Sequence, residues 1–458
     1  MGLISREPVM KIWIKDPLAV FVGEHEQPPK RGILIEDGVI CELLDAEPDQ
    51  FDGTMDASNL VVLPGLINTH HHFYQTLTRS VRSAINRPLF PWLEALYPIW
   101  AHLREEDIRL STELAAAELL LSGCTTAVDH HYIVSQEIPD PFSIQVETAQ
   151  STGIRAIICR GSMSLSQKDG GLPPDSVVQL DDDVLQESEA FIRKWHDPKP
   201  GAMTQVALAP CSPFSVSKQL MLDTANLARR EQVLLHTHLA ETEDENTFCL
   251  TRYGQRPLDY LEEVDWLRAT TWLAHGIHFD QAEIERLGRA GLGVSHCPTS
   301  NMILGSGLCP ASDLEKAGVR IGLGVDGSAS ADSSNMMQEV RQALLLQRLH
   351  APPEAVTPER ALTWATKGGA ALIHRDDIGA IAIGRQADLA FFSLDELRFS
   401  GAEDPLSALV LSGAYRAKHV MVAGDWLVTD YQLTRLDEHA LRNAHNEAAK
   451  RLLSRAFC

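Results

Sequence analysis

Residues 64–75 read PGLINTHHHFYQ, a short apolar run that passes through a turn-prone Asn-Thr pair into a cluster of histidines. His70 and His72 alternate as residues on a strand do, so their rings point to one side and can close on one metal ion. Imidazole is the commonest protein ligand for zinc and suits iron as well. Chance His-x-His pairs are frequent, so the weight lies on three further runs, VLLHTHLAET, TTWLAHG and IGLGVDGS, each apolar and strand-like. The first offers His236 and His238, with Glu241 three residues beyond; the second ends in His275 and the third in Asp326. A metal-hydrolase site needs nitrogen or carboxylate ligands, an open position for water, and separate groups to move protons. His70, His72, His238 and Asp326 can supply the ligands, and Glu241 and His275 the proton-handling groups. Ligands at the ends of several strands are what a β/α barrel offers at its C-terminal mouth.

Outward from these runs, strand-like and helical stretches alternate. With NLVVLPGLINTH, the segments TTAVDHH, GIRAIICRG, QVALAPCSP, VLLHTHLAE, TWLAHGI, GLGVSHCP and RIGLGVDG make eight strand candidates. SVRSAINRPLFPWLEALYPIW, REEDIRLSTELAAAELLLSG and NMMQEVRQALLLQRLH read as helices. The fold class is therefore α/β, a metal-dependent (β/α)8 TIM barrel. Both ends are rich in short strands, with hairpin turns expected at Asp37-Gly38 and Gly424-Asp425. They suggest one composite β-sandwich built from both termini. The expected division is 1–66 (sandwich), 67–377 (barrel) and 378–458 (sandwich and a terminal helix). The loop-like KDGGLPP at 168–174 is a lid candidate, and Asp181 to Asp183 suit a helix N-terminus better than a metal site.

The bulk properties narrow the function classes. A chain of 458 residues with 44% hydrophobic residues suits one large barrel plus a second module. Lys and Arg total 40 against 62 Asp and Glu, a net charge of −22, which disfavours nucleic acid and anionic membrane as partners but leaves a free nucleobase as substrate. Eight scattered cysteines without a CxxC pair fit a reduced, cytoplasmic setting. Arg6, Lys11 and Lys15 interrupt any signal-like N-terminal core, and Met1-Gly2 lacks the Ser or Thr at position 6 that a myristoylation signal needs. No run approaches the ~18 apolar residues of a membrane span. A homo-oligomer is expected, as for many enzymes.

Taken together, PGLINTHHHFYQTLTR, HTHLAETEDE, LAHGIH, HCPTSNM and GLGVDGS resemble the amidohydrolase superfamily, in its mononuclear deaminase and chlorohydrolase branch, over nearly the whole chain. The strand-rich ends fit the composite sandwich that members carry. Within that branch HHHFYQTLTR, RGSMSLSQKDGGLPP and APCSPFSVS most resemble the bacterial 8-oxoguanine deaminases, with isocytosine-active relatives next. The resemblance implies His70, His72, His238 and Asp326 as metal ligands, with Glu241, His275 and Asp326 catalytic. Dinuclear members use a carboxylated lysine from the fourth strand; QVALAPCSP has none, which implies one divalent ion, zinc in the first place and iron as the alternative. Many guanine deaminases read Pro-Arg-Phe here, where this chain has Pro210-Cys211-Ser212.

The implied reaction is hydrolysis of an exocyclic C–NH2 by a metal-activated hydroxide, with Asp326 receiving the water proton, Glu241 protonating a ring nitrogen and His275 orienting the nucleophile. For 8-oxoguanine, attack at C2 gives urate and ammonia. Isocytosine, which shares the 2-amino-4-oxo edge, is the alternative, followed by guanine and s-triazines. A non-catalytic assembly protein on the same fold is disfavoured because every ligand and proton-handling position is filled.

Other residues carry paired readings. Gln75 has both donor and acceptor for the 2-amino-4-oxo edge, against a role as a helix-start cap. Tyr132 is expected to stack on or hydrogen-bond the substrate. Trp92 and Trp100 default to core packing, with a pocket wall as the alternative. His71 is expected behind the ligands. His236 is expected to point away from His238 and to support the ligands from there. His130 and His131 either touch substrate or cap a strand end. Asn301 reads as a loop former, and Cys211 and Cys297 as small buried residues.

Overall fold

Val-, Ile-, Leu- and Ala-rich runs become strands buried on both faces, the pattern of a parallel sheet covered by helices. In the computed structural model these strands are β1 (Leu66–Asn68), β2 (Cys124–His131), β3 (Arg155–Ser162), β4 (Thr204–Pro210), β5 (Leu234–Leu239), β6 (Thr271–His275), β7 (Gly293–His296) and β8 (Arg320–Leu323). They form a closed barrel in chain order, all parallel, with Leu323 opposite Asn68 closing the ring. The structure describes residues 10–457 apart from Gln136 and Pro139. The Met1-Gly2 start with Arg6, and Cys458, lie outside the described residues.

NLVVLPGLINTH is two strands, not one. Leu60–Pro64 belongs to the second module and Leu66–Asn68 to the barrel. The break falls at Gly65, where a Cβ would lie 2.1 Å from Thr125 Oγ1. Both chain ends meet in that module. Leu389–Ser393 pairs antiparallel with Leu60–Pro64 in a six-stranded sheet, and a four-stranded sheet carries Lys11–Lys15 between Gly32–Glu36 and Gly53–Asp56. Ile14, Ile33 and Ile35 of the smaller sheet share an apolar core with Val62, Leu389 and Phe391 of the larger, which makes the pair a sandwich.

The Asp37-Gly38 hairpin forms with both residues at positive φ (49° and 74°), as a tight antiparallel turn requires. The second hairpin turns one residue earlier than expected, at Ala423-Gly424 (φ 48° and 88°), and Asp425 is already in a strand. The two turns abut, since a Cβ on Gly424 would sit 2.7 Å from Gly38 Cα.

Glu105–Leu121 and Met336–Gln347 are helical as expected. The helix expected over residues 80–100 is only Leu89–Trp100. Pro88 restricts Arg87 to extended backbone, and Ser80 and Asn86 are left-handed (φ 50° and 60°), so residues 80–88 turn instead. Asp181 to Asp183 open the helix Asp181–Trp195. Residues 168–174 back the wall residue Phe214 through Leu172 N (3.4 Å to its carbonyl) and do not line the cavity over the barrel. The seven described cysteines are all free, and no described helix is long and apolar enough to cross a membrane.

Candidate metal and catalytic centre

The strand ends bring the histidines together at one mouth. Just past β1, His70 and His72 converge, with ring centroids 4.7 Å apart; His238 comes from β5, His275 ends β6, and Asp326 follows β8. Ala240, His275 and Asp326 have positive φ (55°, 71° and 60°), a costly conformation for such residues that turns the chain sharply at the mouth.

Hydrogen bonds fix which nitrogen each ring presents. His72 Nδ1 donates to His130 O (2.6 Å) and His238 Nδ1 to Cys211 O (2.7 Å), because a carbonyl can only accept. His236 Nδ1 donates to Trp272 O (3.0 Å), so its Nε2 must accept from His70 Nδ1 (2.8 Å). All three outer rings therefore aim an unprotonated Nε2 inward. His70 Nε2 is buried without a hydrogen-bond partner, and the Nε2 atoms of His72 and His238 face each other at 3.2 Å. Two lone pairs at that separation repel unless a cation lies between them. Protonation does not supply it: burial holds His70 well below its ordinary pKa and His238 at about 3. Asp326 Oδ1 closes the cluster, 3.3 Å from His70 Nε2 and 3.2 Å from His72 Nε2. This donor set of three imidazoles and one carboxylate fits zinc or iron(II).

The remaining groups are arranged for proton transfer. Asp326 Oδ2 accepts from Ser300 Oγ (2.6 Å) and Ser330 Oγ (3.3 Å) and lies 3.8 Å from His275 Nε2. His275 Nε2 is 3.6 Å from Glu241 Oε2, and His275 Nδ1 is held by Asn301 Oδ1 at 2.9 Å. Burial, reinforced by the Asp326 charge, pushes the Glu241 carboxyl well above the usual range, so it is a proton-carrying acid. Burial also opposes ionisation of Asp326, but that carboxyl is held well below its ordinary value by the His70 and His72 rings, whose Nε2 atoms crowd its Oδ1 at 3.3 and 3.2 Å, an arrangement that favours the carboxylate when a positive charge sits among them. Two carboxyls in one mouth thus have opposite protonation preferences.

Three further buried carboxyls brace the backbone around the site. Glu245 accepts from Ala240 N and Glu241 N, both at 3.0 Å; Asp129 accepts from Phe73 N at 2.5 Å; Glu339 accepts from Thr299 N at 3.1 Å. A narrow cavity lies over the centre. Gln75 and Tyr132 line it with His72, His238, Glu241, His275 and Asp326, as does Trp92; Trp100 is core, donating to Thr78 Oγ1.

His71 lies behind the ligands, bonded to Ser334 Oγ (2.9 Å). His236 does not point away from His238. Residues two apart on a strand face the same way, and its ring sits under His70, stacked on Trp272 at 4.3 Å. His130 and His131 do not line the cavity: His130 bonds Ala209 O and stacks on His238, and His131 bonds Ile133 O. Asn301 is not a loop former but sits on the short helix Pro298–Ile303 and holds His275; Cys211 lines the cavity and Cys297 does not. Sequence reasoning missed the Ser300–Asp326 and Asn301–His275 bonds. Their only trace was the polar SN pair after the seventh strand.

The amidohydrolase family model matches residues 61–427. The chain is 55% identical over 447 residues to an 8-oxoguanine deaminase from Pseudomonas aeruginosa, covering 97% of this chain and 99% of that one. It is 33% identical over 419 residues to an isoxanthopterin deaminase from an unknown prokaryotic organism, covering 87% of each. Among solved structures, an atrazine chlorohydrolase from Arthrobacter aurescens in complex with zinc superposes with a TM-score of 0.91 at 29% identity, covering 96% of this chain and 100% of that one.

Proposed function

The chain belongs to the amidohydrolase family, and we propose that it is a zinc-dependent deaminase that converts 8-oxoguanine to urate and ammonia. The observation that carries the substrate is the 55% identity along almost the whole length of an 8-oxoguanine deaminase, combined with a complete ligand and proton-handling set. We assign His70, His72, His238 and Asp326 Oδ1 as the holders of one divalent ion. When bound, such an ion lowers the pKa of water to about 7 and so supplies hydroxide at neutral pH.

The chain's own residues do the rest. Gln75, whose Oε1 is buried without a partner, orients the amino-oxo edge of the base. Asp326 Oδ2, steadied by Ser300, receives the proton of the attacking water. Glu241 gives its proton to the ring nitrogen beside C2, which makes that carbon a better electrophile. His275, locked by Asn301, orients the water. The C2–O bond forms, the C2–N bond breaks, the amino group leaves as ammonia with the proton that Asp326 had taken, and the proton left on the new C2 hydroxyl passes to Glu241, which gives the carbonyl and restores the acid. Isocytosine is the second reading, supported by the same Gln75 contact, because it presents the same edge. We assign the protein to the cytoplasm and expect it to work as a homo-oligomer.

Two variants test the assignment. His238→Ala is expected to lose both metal and turnover; Glu241→Gln is expected to keep metal and lose turnover. Full turnover by either variant would refute it.

A further inference from the structure

Most polar atoms that line the cavity already have partners within the protein. Ser330 Oγ bonds Asp326, Trp92 Nε1 donates to Ala329 O (3.3 Å), and His275 Nδ1 is held by Asn301. The Cys211 thiol is a weak donor packed against His238, with Sγ 4.0 Å from Nδ1. Tyr132 stands edge-on to the ligand His72, with ring centroids 5.1 Å apart, on the metal side of the cavity. Among the described residues, the fully occluded polar atoms of the lining without a partner are Gln75 Oε1, an acceptor, and the Tyr97 hydroxyl; the Tyr132 hydroxyl and the Glu241 carboxyl also make no hydrogen bond, but they stand beside the ligand His72 and beside His275, at the metal centre.

Tyr97 is 1% exposed and packs against no ligand ring; its aromatic neighbour is Trp100, at 5.8 Å. It shares a face of the helix Leu89–Trp100 with Leu89 and Leu93, spaced four residues apart, and all three line the cavity. Phe214 and Leu304 complete this apolar wall. Burial pushes the phenol well above its ordinary pKa, so it remains a neutral donor. A buried hydroxyl left unpaired costs free energy that a ligand acceptor recovers.

Resting on the reading of 8-oxoguanine as substrate, we propose that the Tyr97 hydroxyl donates to the oxo group on the five-membered ring and so selects the oxidised purine. Gln75 and Glu241 account for the amino-oxo edge and its ring nitrogen, and the metal centre for the reacting carbon. The C8 oxo is the remaining strong acceptor, and Tyr97 is the unpaired donor away from the metal centre, set in the apolar wall that would cover the ring, whereas Tyr132 stands against the ligand His72. Guanine offers C–H at that position, and isocytosine offers nothing.

Tyr97→Phe removes only the oxygen. In zinc-replete enzyme, the ratio of kcat/KM for 8-oxoguanine to that for isocytosine is expected to fall about 10- to 100-fold, as when one hydrogen bond to a buried polar group is lost. A ratio within about threefold of the parent enzyme's overturns the proposal. If the variant turns over neither base, direct titration with the two products replaces the kinetics: urate affinity is expected to fall relative to uracil, and an equal loss for both overturns the proposal. A parent enzyme active on isocytosine and inactive on 8-oxoguanine overturns the substrate reading and this proposal together. Retained 8-oxoguanine activity with an unchanged ratio overturns this proposal alone.

Discussion

Replacing His236 by Phe should loosen the metal without touching a ligand. The Phe ring keeps the volume and the stacking on Trp272, where the histidine lies at 4.3 Å and 12°. It removes two hydrogen bonds, the one accepted from His70 Nδ1 (2.8 Å) and the one donated to Trp272 O (3.0 Å). His70 is fully buried, so its Nδ1 proton is left with no water to meet. An unpaired buried donor costs about 1–3 kcal/mol. His70 can avoid that cost by moving the proton to Nε2, but that nitrogen then no longer offers a lone pair to the ion. Either route charges the loss to metal binding, at roughly one to two powers of ten, in line with the ~10- to 100-fold penalty typical of groups behind metal ligands. Competition against a chromophoric chelator measures the zinc affinity, and circular dichroism checks the fold. An affinity within about threefold of the parent protein would refute the hydrogen-bond relay.

Other predictions follow from the braces. In Glu245→Gln, an amide NH2 confronts one of the two backbone donors at Ala240 and Glu241; kcat should fall about tenfold with metal content unchanged, checked by steady-state kinetics beside metal analysis. By linkage, stability should be highest over a plateau between about pH 4.5 and 6.5, where two sets of buried groups offset each other, and should fall on either side. His71, His131 and His296 have folded pKa values of about 3, so between that value and their ordinary 6.5 the unfolded chain binds more protons and stability rises with pH. Asp129 and Glu245 at about 7 and Glu339 at about 8 hold protons that the unfolded chain has already released above about pH 4, so their contribution falls as pH rises from there and is gone once pH passes those folded values. Thermal unfolding across this range checks the sign, and Glu339→Gln should flatten the alkaline limb.

The barrel and the ligand set were legible because both are written in short-range patterns. Each ligand lies at or just past the end of an apolar run, and His70 and His72 carry the strand period themselves. The same period was misapplied to His236: two residues from His238, it faces inward with it, one layer deeper in the barrel. Asn301 and Ser300 act on residues far away in the chain, His275 and Asp326, and no local period announces such contacts. Tyr97 was hidden for another reason. In an apolar helical stripe a phenol reads as core, and only the missing partner for its hydroxyl marks it out. The late helix start at Leu89 follows from Pro88, whose effect on the preceding residue overrode the apolar pattern.

The first measurement is ammonia release from zinc-replete protein given 8-oxoguanine, isocytosine, guanine and a chloro-s-triazine side by side, compared by kcat/KM. A deaminase of this kind is expected to turn over 8-oxoguanine best, with urate accumulating in step with ammonia and chelation abolishing both. Turnover that survives complete metal removal, or a triazine preferred over every 2-amino-oxo base, would contradict it.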